Sequence, residues 1–180
     1  MKKALISFSC ILFLIILCGC TMDNTPTKKV ENFLDNYQKL DDNVLAQLKN
    51  MVDTDTLMND EQRTTYTNVM KHQYQDLKYK IKDEKIDGDT ATVTTEIEVY
   101  DYYKTTTDAE EYYNANQKEF YTDGVLDNAK YVAYRIGKLK DTKDKVKYTI
   151  DFTLTKVDNN WVLNDIDDTT RQKIHGLYAH

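Results

Sequence analysis

The chain has almost none of the residues that carry nucleophilic or redox chemistry. Serine does not occur after Ser9, and cysteine does not occur after Cys20. A protein made of the residues beyond Cys20 therefore has no serine or cysteine nucleophile, no disulfide and no thiolate metal site. The three histidines, His72, His175 and His180, lie on different segments. We expect them to be solvent-exposed helix residues, and neither a metal cluster nor a catalytic pair.

Glycine and positive charge are also scarce. The four glycines after residue 19 are widely spaced, so no phosphate-binding loop is expected. The formal net charge is −6, and it would become −8 without residues 1–19, which hold Lys2 and Lys3 and no acidic residue. Nucleic acids attract clusters of Lys and Arg, so we expect no nucleic-acid partner. The acidic stretch from Asp83 to Gly88 lacks the ligand set of a calcium loop, and we expect neither a metal nor a cofactor.

The first 20 residues have the pattern of an export signal. A basic start precedes an apolar run over residues 4–17, which is shorter than the roughly 20 residues that cross a bilayer. The run ends in Leu17-Cys18-Gly19-Cys20, which resembles the lipobox of bacterial lipoproteins. The resemblance implies a signal peptide over residues 1–19, and acylation of Cys20 with diacylglycerol and usually a further chain such as palmitate. An ordinary secretory signal, cut elsewhere and leaving Cys20 as a thiol, is the alternative.

Acylation of Cys20 would hold the protein at a membrane. Several acyl chains anchor stably, because each buried methylene contributes about 0.8 kcal/mol. Residues 20–25 provide only a short tether, so the domain would work close to the bilayer. We therefore expect a protein on the extracytoplasmic face of the cell membrane, whose membrane contact is the lipid. The excess of lysine over arginine is typical of a Gram-positive source.

Residues 26–180 have the patterns of a single α+β domain, and its first part is helical. Thr25 followed by Pro26 is typical of a helix cap and a first helical position. The apolar residues from Val30 to Leu40 then recur every three or four positions. A second short helix is predicted next, and a third is predicted to open at Asp60.

From residue 77 onward the apolar period changes to alternation. This pattern predicts two hairpins, with strands that begin near residues 77, 90, 145 and 161. Asp87-Gly88 predicts a two-residue type I′ turn in the first hairpin. Each hairpin has one apolar and one polar face, which predicts a curved four-stranded antiparallel sheet with the N-terminal helices packed on it.

Residues 105–143 are too many for a bare loop between the hairpins. A capping-box spacing at Thr107 predicts a helix that runs to about Phe120. A second helical pattern runs from Val125 to Leu139, although its middle also fits a short strand. We therefore predict a helical insertion.

The order of these patterns resembles a known fold. The residues that carry the resemblance are Val30 to Tyr37, Ile86 to Ala91 and Asn159 to Leu163. They resemble small lipoproteins of Gram-positive bacteria with a cystatin-like cone domain of the nuclear transport factor 2-like superfamily. The resemblance implies helices over a concave sheet and a cone-shaped cavity. In that superfamily the cavity holds a ligand, a partner or, in a minority, a general base; the alternative is a cone filled by core side chains.

The candidate site lies at the end of the second strand. Alternation places Asp101 and Tyr103 on the apolar side of this strand, next to the predicted cavity. A carboxylate desolvated among Tyr100, Tyr102 and Tyr103 is a candidate general base, as in ketosteroid-isomerase-like relatives of the fold. The alternative is that the strand leaves the sheet at Asp101 and that the tyrosines cover the edge of the core.

The function that we favour is a non-catalytic, lipid-anchored surface protein. It would bind a protein, a cell-wall component or a small ligand through Tyr100, Tyr102 and Tyr103, because tyrosine offers contact area at low entropic cost. A pocket enzyme with Asp101 as its base is one alternative. A docking subunit of a membrane-associated assembly, which would bind through the insertion, is another.

Overall fold

The computed structural model describes residues 24–180, so the expected signal peptide, Cys20 and most of the tether lie outside the described residues. The described residues form the predicted α+β fold, with helices packed against a four-stranded antiparallel sheet. The elements in chain order are α1 (Pro26–Lys39), α2 (Asp42–Asp53), α3 (Asp60–Gln75), β1 (Lys78–Asp87), β2 (Thr90–Tyr100), α4 (Tyr102–Ala115), a 3₁₀ helix (Gln117–Phe120), β3 (Tyr121–Thr122), β4 (Val125–Leu126), α5 (Asn128–Asp141), β5 (Lys145–Val157), β6 (Asn160–Leu163) and α6 (Asp168–His175).

The N-terminal helices begin where the sequence predicts. The hydroxyl of Thr25 accepts a hydrogen bond from the backbone N–H of Lys28, which satisfies a free donor at the start of α1. Asn59 and Gln62 form a reciprocal capping box at the start of α3. Leu40, with a φ of 53°, ends α1 in the left-handed conformation.

The strand order of the sheet is β1-β2-β5-β6, and every neighbouring pair is antiparallel. In the central pair Thr90 lies opposite Thr155, and Tyr100 lies opposite Lys145. Both hairpin turns therefore lie at one end of the sheet, which we call the turn end. The other end, at Tyr100 and Lys145, is the far end. At about 3.3 Å per residue, β2 separates the two ends by roughly 33 Å.

The two hairpin turns differ from the prediction. Gly88 and Asp89 connect β1 to β2, and of these only Gly88 has a positive φ, of 58°. A type I′ turn requires positive φ at both central residues, so that prediction is wrong for the first hairpin. The type I′ pattern occurs instead in the second hairpin, where Asp158 and Asn159 have φ values of 48° and 63°.

One face of the sheet is buried beneath the helices. Alternate residues of β2 and β5 are buried on this face, and the Phe33 ring of α1 meets the Phe152 ring of β5 at 5.7 Å between centroids. Thr95 lies on the same buried face, and its hydroxyl has no hydrogen-bond partner among residues 24–180. The buried face of the sheet is thus filled by its own core side chains, which include Val93, Ile97, Val99, Ile150, Phe152 and Leu154.

The predicted helical insertion between the hairpins is confirmed, although its boundaries differ. Its first helix, α4, begins at Tyr102, five residues before Thr107, because Asp101 acts as its cap. This helix ends at Ala115, and the 3₁₀ helix and the small β3–β4 hairpin follow before α5. The insertion helices pack on each other, and α5 also packs on α3.

The segment after β6 forms a helix, α6, whose bounds we did not predict. Asp167 caps α6 by accepting a hydrogen bond from the backbone N–H of Thr170 at 2.7 Å. Gly176 then ends the helix with a φ of 71°. The residues after Gly176 run past the far end of the sheet, where Tyr103 donates its backbone N–H to the Gly176 carbonyl at 2.7 Å.

Candidate functional site

A cavity of about 360 Å³ lies at the far end of the sheet, and we call it the α3–α5 cavity. One wall is α3, and the opposite wall is the end of α5 with the residues that follow it. Tyr100 and Tyr102, two of the three tyrosines proposed from the sequence, form its third side. Val69 and Leu139 give the cavity an apolar part.

The backbone of Tyr100 is held by a buried glutamine. The side chain of Gln73 is fully buried; its Oε1 accepts the Tyr100 N–H at 2.9 Å, and its Nε2 donates to the Tyr100 carbonyl at 3.1 Å. One amide thereby satisfies both main-chain groups at the last residue of β2, where the ladder ends. Tyr100 is consequently fixed to α3 as well as to the sheet.

The side chain of Tyr100 is also held in place. Its hydroxyl donates to Oδ2 of Asp76 at 2.5 Å. This hydrogen bond lowers the pKa of the Asp76 carboxyl, and together with burial it raises the pKa of Tyr100 to about 12. Tyr100 is therefore a neutral donor near neutral pH, and its proton is committed to Asp76.

Aromatic and cationic groups surround the Tyr100 ring. Tyr102 stacks on it with centroids 6.1 Å apart, and the His72 ring lies 5.3 Å away. Nζ of Lys145 lies 4.6 Å from the Tyr100 centroid, within the range of a cation–π contact. The Tyr102 hydroxyl donates to the Val69 carbonyl at 3.3 Å, and burial raises the Tyr102 pKa.

The lining of the α3–α5 cavity carries basic side chains. His72, Lys140 and Lys143 line it, and no carboxylate is among the side chains that do so within residues 24–180. Asp76, at its edge, is occupied by the Tyr100 hydroxyl and lies 4.0 Å from His72. The cavity thus combines an apolar floor with cationic side chains in an acidic protein.

Asp101 and Tyr103 do not line this cavity. The chain leaves the sheet at Asp101, which is only 5 % exposed, and its Oδ1 accepts the Lys104 N–H at 2.9 Å as the cap of α4. Its Oδ2 lies 3.3 Å from Nε2 of His180. The Tyr103 ring also faces His180, at 5.9 Å between centroids. Of the four proposed residues, Tyr100 and Tyr102 therefore line the cavity, whereas Asp101 and Tyr103 lie beside the C-terminal segment.

Tyr148 extends the group around Asp101. Its hydroxyl donates to the Tyr178 carbonyl at 2.7 Å and lies 3.4 Å from Nδ1 of His180. Burial, and then the charge of Asp101, raise the pKa of Tyr148 to about 12. Asp101, His180 and Tyr148 thus form a chain of polar contacts at the edge of the core.

A second cavity of about 380 Å³ is lined by residues of α1, α2, α3 and α6. Tyr74 and His175 meet in its wall, with the Tyr74 hydroxyl 3.0 Å from Nε2 of His175. Burial lowers the pKa of His175 to about 4, so the imidazole is neutral near neutral pH. The expectation of a solvent-exposed histidine is wrong at His175, because α6 packs against α3 and the imidazole lies in the cavity wall.

Residues 24–180 contain neither a helix that could span a membrane nor a cluster of metal ligands. No helix in this part of the chain is both long and apolar enough to cross a bilayer. Over the same range, no three His, Cys, Asp or Glu side chains are grouped so that they could hold a metal ion.

Comparisons with known proteins find similarity to a solved structure. No protein-family model matches the chain, and no curated protein matches it. The chain is similar to the crystal structure of a candidate lipoprotein, ycdA, from Bacillus subtilis subsp. subtilis, with a TM-score of 0.44 and 14% sequence identity. The likeness covers 86% of this chain and 47% of that one, so the chain spans about half the length of that protein. At this TM-score the likeness carries no argument about function.

Proposed function

We propose that the chain is a non-catalytic, lipid-anchored binding protein on the extracytoplasmic face of the cell membrane. Cys20 is the acylated residue, because it follows the apolar run and Gly19 in the order that lipoprotein processing requires. The domain is a cystatin-like cone of the nuclear transport factor 2-like superfamily. The packing of α1 on an antiparallel sheet supports this assignment, and the filled sheet face moves ligand binding away from the cone interior.

The observation that carries the binding function is the α3–α5 cavity. Its volume suits a small molecule or one side group of a larger ligand. Val69, Leu139 and Tyr102 favour an apolar part of the ligand. Lys140 and Lys143, the exposed lysines of the lining, which we call the rim lysines, favour an anionic group. The ligand is therefore a protein, a wall component or a small molecule that presents an anionic group beside an apolar one.

A pair of matched probes tests this proposal. Benzoate and benzamide have nearly the same shape, but only benzoate is charged. We expect benzoate to shift the NMR signals of the His72 ring in a saturable titration, and benzamide to bind more weakly. Replacing both rim lysines, Lys140→Gln with Lys143→Gln, should weaken benzoate binding about fivefold, since each exposed charge contributes on the order of 0.5 kcal/mol.

The control for this experiment is a second pair of lysines. Lys118 and Lys130 are exposed in the insertion and do not line the cavity. The pair Lys118→Gln with Lys130→Gln changes the net charge by the same amount, so it should leave benzoate affinity unchanged. An equal loss of benzoate affinity in both double variants would contradict a cationic binding cavity. An affinity for benzamide equal to that for benzoate would contradict it as well.

The anchor has its own test. Mass spectrometry of the membrane-extracted protein should find a chain that begins at Cys20 and carries acyl groups. A chain without acyl groups, or one cut at another bond and recovered from the medium, would refute the anchor and leave the benzoate experiment intact.

A second candidate function is proton transfer by Asp101. The observation that favours it is the buried carboxylate in contact with His180, which in turn contacts Tyr148. Asp101→Asn is the suitable variant, because asparagine caps a helix as well as aspartate does and α4 is retained. Benzoate binding at His72 should survive this change if the α3–α5 cavity is the site. Loss of benzoate binding in a folded Asp101→Asn protein would mean that the site depends on Asp101 and is not confined to the α3–α5 cavity.

A third candidate, docking through the insertion, is favoured by an aromatic cluster. Tyr112 and Tyr121 are about 40% exposed and Val125 is 70% exposed, at the tip of the insertion. Beneath them, the Phe120 ring contacts the ring of Tyr131 at 5.8 Å. If this tip docks onto a membrane-associated assembly, Val125→Asp should release the protein from that assembly during gel filtration of detergent extracts. An unchanged elution volume would count against docking.

A further inference from the structure

The N-terminal part of the described chain is fastened to the turn end of the sheet. The Asn24 side chain donates to the Asn159 carbonyl at 2.9 Å and accepts the Trp161 N–H at 3.0 Å. Three residues later, the Thr27 N–H donates to the Glu84 carboxylate at 2.8 Å. Both hairpins thus hold the chain close to their turns.

The position of Asn24 limits where a membrane anchor could lie. Four residue steps separate Cys20 from Asn24, which span at most about 14 Å even when fully extended. The far end of the sheet lies roughly 33 Å from the turn end along β2. An acyl group on Cys20 would therefore keep the turn end next to the bilayer, and it could bring the far end equally close only if the sheet lay flat.

The surfaces of the sheet favour contact through the turn end. Ile86, Val157 and Val162 are large apolar side chains about half exposed, and all three lie near the hairpin turns. Val157 and Val162 share the outer face of the sheet, because Val162 pairs with Thr155. Ile86 lies at the same end of the sheet, but on the opposite edge strand and on the inner face, opposite Ala91. Exposed apolar side chains that are grouped, as Val157 and Val162 are, commonly mark a contact with a partner or a membrane.

The outer face toward the far end is unsuited to contact with lipid. Lys82 and Lys147 form ion pairs with Glu96, and Lys78 forms one with Glu98. A sheet that lay flat would have to remove these charges from water, which is costly for each ion. The turn end carries Glu84, Asp87, Asp89 and Asp158 against Lys85 and Lys156. This excess of negative charge does not attract anionic lipid, so the tether and the apolar side chains would determine the orientation.

We infer that the turn end faces the bilayer, with Ile86, Val157 and Val162 beside the lipid head groups. The α3–α5 cavity, at the far end, then faces away from the membrane. This inference rests on the proposed acylation of Cys20, and it commits the apolar surface at the turn end to one partner, the bilayer that holds the anchor. A ligand would reach the cavity from the extracytoplasmic side and not from the lipid.

Fluorescent labels at introduced cysteines test the orientation, because no native cysteine follows Cys20. The acylated full-length product is placed in phosphatidylglycerol–phosphatidylcholine vesicles that contain a lipid with a quencher on its head group. Ile86→Cys is compared with Lys78→Cys on the same strand, and Val157→Cys is compared with Lys147→Cys on β5. We expect quenching to remove most of the fluorescence of the labels at positions 86 and 157. The labels at positions 78 and 147 should keep their fluorescence.

The remaining outcomes separate this inference from the proposed anchor. Mass spectrometry of the same samples shows whether the chain is acylated, and an unacylated chain would refute the anchor itself. In an acylated sample, equal quenching at the two ends of a strand, or stronger quenching at the far end, would overturn the orientation. If the labels at positions 86 and 157 lose fluorescence in vesicles without the quencher lipid, and the loss rises with protein density, the turn end contacts other copies of the chain. That result would also overturn the proposed orientation.

Discussion

The substitution Gly176→Ala should damage the junction at the far end of the sheet. Gly176 ends α6 with a φ of 71°, a backbone angle that residues other than glycine rarely adopt. A Cβ at this position would lie 2.1 Å from the Tyr100 carbonyl oxygen and 2.4 Å from Nε2 of Gln73. Both atoms belong to the buried hydrogen-bond pair that holds β2 to α3, so α6 must move away or that pair must break.

The expected loss of stability has two parts. The left-handed backbone costs alanine about 1 kcal/mol. Displacement of the Gln73 amide leaves a buried polar group unpaired, which costs about 1–3 kcal/mol. We expect the free energy of unfolding to fall by about 2–4 kcal/mol and the melting temperature by roughly 10 °C. Urea and thermal unfolding followed by circular dichroism measure both quantities.

Gly124→Ala is the matched control. Gly124 also has a positive φ, of 80°, but no heavy atom lies within 4 Å of the Cβ position. Alanine there should show only the backbone cost of about 1 kcal/mol. If Gly176→Ala is no more destabilising than Gly124→Ala, the close approach of α6 to the Tyr100 carbonyl is not a constraint on the fold.

Other single changes test separate parts of the structure. Thr95→Val should raise the free energy of unfolding by about 1 kcal/mol, because it removes a buried hydroxyl without a partner. The control is Thr149→Val, at an exposed position of β5. If Thr95→Val instead loses stability in urea unfolding, the Thr95 hydroxyl has a hydrogen-bond partner. The pKa of His175 is about 4 in the folded chain and near 6.5 when unfolded, so the unfolded state takes up the proton first as the pH falls. Stability should therefore drop by on the order of 2 kcal/mol between pH 6.5 and 4. His175→Gln should flatten that slope in urea titrations, and an unchanged slope in this variant would contradict the buried imidazole. Gly137→Ala, inside α5 with no atom near the Cβ position, should stabilise by about 0.5–1 kcal/mol in thermal unfolding, and a lower melting temperature would contradict the open site.

Local chemistry was enough to predict most of the elements. The strand from Lys145 to Val157 begins at the predicted residue, because its alternation is uninterrupted and one face is buried. The start of α1 at Pro26 follows from a cap and a proline that favour the same position. Turn type was harder to predict, because Asp87-Gly88 and Gly88-Asp89 could each form the two central residues of the first hairpin turn. The pairing register of β1 and β2 decides between them, and it makes Gly88 and Asp89 the central residues.

The candidate site was only partly predictable, for a reason visible at Asp101. Alternation was extended past Tyr100 to Tyr103, but the strand ends at Tyr100 and a helix begins at Tyr102. In a helix the side-chain direction advances by about 100° per residue and not by 180°, so the alternation no longer applied. The partners of these residues, His180 and Gly176, come from the C-terminal segment and depend on tertiary packing.

Tyr100 links the proposed binding site to the rest of the far end. Its ring lines the α3–α5 cavity, its backbone is held by Gln73, and its carbonyl limits how closely α6 can approach through Gly176. A ligand that packs against the Tyr100 ring therefore stabilises the same junction that Gly176→Ala weakens. By linkage, benzoate should bind less tightly to Gly176→Ala than to Gly124→Ala, even though Gly176 does not line the α3–α5 cavity. Equal affinities would mean that the cavity wall forms independently of α6.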